Sequence, residues 1–98
     1  MKFITLFVWI LTFNVYAAGN AKNGEQLYKK CASCHGANGQ GNKSQEAPRI
    51  ASQYDWYIKS SIEKMQSGER KNPKMIPFIK NLKASEIEDL AAYISSLK

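Results

Sequence analysis

The chain is poor in the side chains that build metal and redox centres: two cysteines and one histidine occur in 98 residues. Three such side chains cannot supply the four ligands that a structural zinc ion takes. Strand-like alternation is also lacking, and with it the βαβ setting that a thioredoxin-like dithiol requires. No internal repeat, low-complexity tract or long linker divides the sequence, which therefore reads as one small domain. A run of the ~20 apolar residues that a membrane-spanning helix needs is missing too. The nearest stretch, Phe3 to Val15, is interrupted by Thr5, Thr12 and Asn14.

That stretch instead has the build of a secretory leader. Lys2 supplies a short positive start, apolar residues follow, and Val15-Tyr16-Ala17 places small residues where a signal peptidase reads. We expect cleavage after Ala17, with residues 1–17 a signal peptide and 18–98 the mature, periplasmic domain; a retained anchor is the alternative. The 81 residues that remain are marginal for a self-supporting apolar core, so an additional staple is expected. The full chain carries +6, and loss of Lys2 leaves +5, a balance that suits an acidic docking partner or an anionic surface.

What the sequence does contain is Cys31-Ala32-Ser33-Cys34-His35. Two thiols three residues apart, followed at once by an imidazole, form the attachment pattern of a c-type haem. Each thiol adds to one vinyl group of the same porphyrin, and His35 is carried to the iron as a nitrogen ligand. A disulfide between such close neighbours would close too small a loop to stabilise the fold. The haem would also serve as the missing staple, and an exported protein with a covalent cofactor is a poor candidate for nucleic-acid binding.

Three helical patterns follow the leader. The first runs from about Ala21 to Ala32, where Gly24, Leu27, Tyr28 and Cys31 make a stripe, and Gly24 leaves space for another helix to cross. Gly36 to Asn42 is too rich in Gly and Asn for helix and must turn the backbone. A second helix is expected from about Gln53 to Gln66, with Tyr54, Tyr57, Ile58, Ile62 and Met65 on one face and Gly68 at its end. In the third, Ser85 and Glu88 form a capping box ahead of Ile87, Leu90, Ala91, Ile94 and Leu97.

No second histidine is available for the other side of the iron. Beyond the leader only Met65 and Met75 offer a thioether. Met65 continues the Ile58–Ile62 stripe and reads as core. Met75 lies between Pro73 and Pro77, which are expected to hold an extended loop presenting the sulfur. Met75 is thus the favoured sixth ligand, against Met65, a lysine or an open site. Such ligation favours single-electron transfer over catalysis.

The chain resembles class I cytochromes c, in particular the small bacterial cytochrome c553 and cytochrome c4-domain type. The resemblance rests on Cys31 to Gly36, Pro48-Arg49-Ile50-Ala51-Ser52-Gln53, Gly68-Glu69-Arg70, Met75, and Ile87 to Ile94. It implies an all-α fold of about three main helices wrapped around one covalent haem c, with the first and last helices crossing so that Gly24 and Tyr28 meet Leu90, Tyr93 and Ile94. It further implies that the Pro48 carbonyl accepts a hydrogen bond from His35, that Ile50 packs on the porphyrin, and that Met75 is the sixth ligand. Pro77 departs from many relatives. The cofactor-binding set is therefore Cys31, Cys34, His35, Pro48, Ile50 and Met75, with His35 and Met75 on the metal. Tyr54, Trp56 and Tyr57 are expected either to reach a haem propionate or to pack in the core.

The implied activity is that of a non-enzymatic electron carrier serving periplasmic or membrane redox partners with acidic faces. Membrane contact would come only through redox complexes, and the protein would be a monomer or a subunit. The alternative is a haem subunit of a larger oxidoreductase, such as a sulfide-oxidising flavocytochrome. Arg70, Lys71, Lys74, Lys80 and Lys83, with Lys29 and Lys30, are expected to ring the haem edge and steer partners.

Overall fold

Asn20 starts the first helix: its side-chain oxygen accepts a hydrogen bond from the Asn23 N–H (3.1 Å), satisfying one of the free donors of the first turn. In this computed structural model, which describes residues 3–10 and 19–98, helix α1 then spans Ala21–His35. Three further α-helices follow, α2 (Asp55–Ser67), α3 (Ile76–Ile79) and α4 (Ala84–Ser96), with a 3-10 turn at Lys43–Gln45. Among the described residues there is no strand, only an isolated bridge between Asn42 and Ala47. Residues 3–10 are exposed and have no regular secondary structure, and the expected cleavage site at Ala17 lies outside the described residues. No helix among the described residues is long and apolar enough to cross a membrane.

The all-α architecture agrees with expectation, and α1 crosses α4 as the resemblance implied. The crossing is close because Gly24 and Gly19 have no side chains there; at both positions an added Cβ would run into the α4 backbone. Tyr28 is buried with its ring 5.3 Å from that of Tyr93, and it shares one apolar cluster with Leu90 and Ile94. Asp89 clamps the crossing from the α4 side. Its two carboxylate oxygens accept from the Asn20 N–H and the Asn23 amide, each at 2.7 Å, beside the positive end of α1.

Helix α2 packs on α4 through Ile58, Ile62 and Met65, which join Ile79, Ile87, Leu90 and Ala91 in the core. Gly68 ends α2 in the left-handed conformation (φ 82°), with its N–H returned to the Met65 carbonyl. Two expectations about helix starts are corrected. Tyr54 is the N-cap of α2, so the helix begins at Asp55 and not Gln53. In α4 the cap is Lys83, not Ser85: Glu86 Oε1 accepts the Lys83 N–H at 2.9 Å, which places Ser85 inside the first turn. A lysine side chain has no acceptor, so only the glutamate half of a capping box operates.

Candidate functional site

Helix α1 runs three residues beyond the expected Ala32 and carries the whole Cys31–His35 motif on its last turn. Helical spacing then brings Cys31, Cys34 and His35 to neighbouring positions on one face. The two thiols are free, and burial pushes the Cys31 thiol up, against a smaller lowering by Lys30. Gly36 ends the helix at φ 87°, with its N–H on the Ala32 carbonyl.

His35 is buried, and its Nδ1 lies 2.8 Å from the Pro48 carbonyl oxygen. A carbonyl oxygen only accepts, so Nδ1 carries the proton and donates. Nε2 is then the nitrogen with the free lone pair, and it has no hydrogen-bond partner among the described residues.

The glycine-rich turn builds this contact. The Gly41 N–H donates to the His35 carbonyl (2.7 Å), and the Gly39 carbonyl accepts from Ile50 and Ala51 at 2.9 and 3.0 Å. Gly41, at φ 85°, lies against the Pro48–Arg49 backbone, where an added Cβ would stand 2.6 Å from the Arg49 nitrogen. Gly41 thus lets the Pro48 segment approach His35, a role that composition alone did not reveal.

The Cys31, Cys34 and His35 side chains line a cavity of about 580 Å³. Pro48 and Ile50 form one flank, Ile58, Ile62 and Met65 come from α2, and Leu90 and Ile94 from α4. Met75 and Phe78 complete the wall. All six expected binding residues therefore border one space. Both methionines border it as well, but Met65 is buried within the core cluster, whereas Met75 is half-buried at its edge.

The segment carrying Met75 is not the expected extended loop. Met75 is the N-cap of α3, a single turn with Pro77 near its start. A proline there forfeits no hydrogen bond, because first-turn N–H groups have no helical acceptor. The aromatic cluster also differs from the core-packing expectation. Tyr54 and Trp56 are 71% and 64% exposed and stack at 5.7 Å, while Tyr57 turns towards the cavity.

A mostly apolar cavity with two free thiols and an unpartnered imidazole nitrogen matches the donor set of a covalent haem. Residues 21–98 match the family model of cytochrome c. The chain belongs to the cytochrome c family. Membership in this class I c-type group brings a covalently bound haem c and the carriage of electrons between redox partners. Cytochrome c-554(548) of Halomonas halodenitrificans is 38% identical over 82 residues, 81% of this chain and 98% of that protein. A protein of Thiomonas intermedia named thiosulfate dehydrogenase electron acceptor is 37% identical over 69% of this chain and 31% of its own length. The solved cytochrome c4 of Acidithiobacillus ferrooxidans superposes with a TM-score of 0.75 at 31% identity, covering 86% of this chain and 53% of that one. This cytochrome thus spans nearly all of one relative and about half or less of the others.

Proposed function

We propose that this cytochrome is an exported single-electron carrier whose haem would be joined through Cys31 and Cys34, with Nε2 of His35 and the sulfur of Met75 as the two protein ligands of the iron. The division of labour between the two nitrogens of His35 carries the reading. Nδ1 is committed to Pro48, so the one free lone pair of the ring belongs to the nitrogen that a metal needs. When bound, the haem supplies a one-electron couple, and a thioether ligand raises its potential. The chain's own residues do the rest. Pro48 orients the imidazole; Ile50, Ile58, Ile62 and Ile94 give the cavity apolar walls; and with His35 and Met75 both holding the iron, dioxygen would find no open coordination position.

Residues 1–17 act in this reading as the export signal, and the domain works in the periplasm. Lys30, Arg49, Arg70 and Lys74 border the cavity and present positive charge to acidic faces of partners. Absorption spectra of the purified oxidised and reduced protein test the assignment. A thioether–iron charge-transfer band is expected in the oxidised form and absent from Met75→Ala. A high-spin ferric spectrum with rapid carbon monoxide binding after reduction would refute Met75 as ligand.

A second reading is favoured by the Thiomonas intermedia relative, whose name ties it to an enzyme. Here the chain is the dedicated acceptor of a larger oxidoreductase in place of a free shuttle. Size-exclusion of native extract separates them: a subunit travels with its enzyme, whereas a shuttle elutes at its own mass.

A further inference from the structure

Met75 reaches the cavity from a short and weakly supported element. Helix α3 has four residues, one turn of backbone hydrogen bonding, and no side-chain cap at Met75. A thioether is also a weak ligand beside an imidazole, so its residence on a metal depends on how firmly the protein holds it. Whatever fixes α3 therefore sets how often the sulfur departs.

The fixing comes from α2. The side-chain amide of Gln66 donates to the carbonyl oxygens of Ile79 (2.8 Å) and Leu82 (3.0 Å). Both partners are acceptors, so the orientation of the amide is set by chemistry: only its nitrogen can face them. Ile79 is the last residue of α3 and is buried in the core, while Leu82 lies in the link to α4. A single two-proton donor on a long, rigid helix thus ties down the end of the turn that Met75 begins. Without it, the carbonyl of Leu82 loses this donor, and that of Ile79 keeps only the Leu82 N–H at 3.1 Å. Burial of Ile79 anchors the apolar side of α3 but gives its carbonyls no donor, and on the outer side the Lys74–Glu46 pair is exposed at both ends and holds little.

We propose that Gln66 is the positioning residue for Met75: by donating to the Ile79 and Leu82 carbonyls it locks α3 and keeps the thioether seated on the iron. The proposal rests on Met75 being the sixth ligand. Gln66 does not touch the metal and acts only through α3.

Added imidazole reads this directly, since it occupies the oxidised iron only when the thioether has left, and its apparent affinity scales with that fraction. In the haem-loaded Gln66→Leu protein, the apparent affinity for imidazole should rise about tenfold, in line with the loss of two hydrogen bonds. Gln66→Glu keeps the length but offers an acceptor where a donor is needed, and it should rise at least as much. Asp89→Asn weakens the distant α1–α4 clamp and serves as the control: it should lower the melting temperature and leave imidazole affinity unchanged. Unchanged affinity in both Gln66 variants, with Met75→Ala still abolishing the thioether band, would overturn the proposal alone. If Met75→Ala left the band and the imidazole affinity as in the unmodified protein, the ligand assignment itself would fall.

Discussion

A Cβ placed on Gly24 would stand 2.0 Å from the carbonyl oxygen of Asp89, so α1 and α4 cross with no room for even one methyl group. The obstacle is backbone and not the end of a flexible side chain, so relief requires the helices to part. Gly24→Ala gains up to ~1 kcal/mol of helix propensity. Overpacking should outweigh it, for a net loss of about 2 kcal/mol and a drop of ~10 °C in the melting temperature of the holoprotein. Gly24 does not line the cavity, so the visible spectrum below the transition should be unchanged. A melting temperature at or above that of the unmodified protein would mean that the helices separate at little cost.

Gly41 controls a second close approach. A side chain there would meet the Arg49 nitrogen at 2.6 Å and the Pro48 carbonyl carbon at 2.8 Å, pushing the Pro48 carbonyl away from His35. The hydrogen bond from Nδ1–H makes the imidazole a better donor, which favours the more highly charged ferric iron. Gly41→Ala should therefore raise the midpoint potential by some tens of millivolts, ~59 mV being a tenfold shift for one electron. Redox titration checks both size and sign, and a lowered midpoint would contradict the role given to Pro48.

These two glycines also mark what was legible in the sequence. Gly24 falls in a periodic stripe with Tyr28 and Cys31, so its crossing could be read from spacing. Gly41 sits in a polar turn, where composition announces a bend but not which backbone it must clear. The motif at Cys31–His35 was readable because covalent chemistry fixes its spacing. The Met75 turn was misread because a proline two residues on looks like a breaker, although at the start of a helix it costs nothing. The contacts made by Gln66 and Asp89 were missed for a different reason. Their partners are 13 to 69 residues away, and no local pattern encodes such a contact.

Tyr28 couples the crossing to pH. Its hydroxyl donates to the Gly36 carbonyl, and burial raises its pKa above the ordinary 10.0, with a smaller contribution from nearby Cys31 that vanishes once that sulfur is a thioether. A group whose folded value is raised contributes stability that is present below the unfolded value and lost as pH climbs through the folded one. The holoprotein should thus lose stability above about pH 10, by far-UV circular dichroism melts. Tyr28→Phe should be weaker by about 1 kcal/mol at neutral pH, for the lost hydrogen bond, yet decline less steeply in alkali. Parallel curves for the two proteins would exclude Tyr28 as the titrating group.

Removal of the haem tests how far the core depends on it. The walls of the 580 Å³ cavity include Ile58, Ile62, Met65, Leu90 and Ile94, residues that also make up much of the apolar cluster. Without a porphyrin these side chains would face water or collapse, in a chain already small for an independent core. Replacing both Cys31 and Cys34 by Ser should give a protein with little far-UV helical signal and no cooperative melt. A compact apoprotein with a sharp transition would show that α1, α2 and α4 suffice by themselves.

The charge around the cavity mouth makes a prediction about rate. Lys74 is paired with Glu46 at 2.9 Å, so its field is partly cancelled, and the same lysine holds the Glu46 carboxyl below its usual range. Arg49 and Arg70 border the same opening and make no ion pair among the described residues. Attraction of an acidic partner should accordingly rest on the arginines more than on the Lys74–Glu46 pair taken together. Raising ionic strength from 0.01 to 0.15 M shortens the screening length from ~30 to ~8 Å, and the second-order electron-transfer rate should fall about tenfold. Arg70→Gln should flatten that dependence visibly, and Lys74→Gln should flatten it about as much, because loss of the lysine unmasks the negative charge of Glu46; replacing Lys74 and Glu46 together by Gln should change it little. A rate indifferent to salt would dismiss steering altogether, and a large effect of the double replacement would show that the pair opens when a partner arrives.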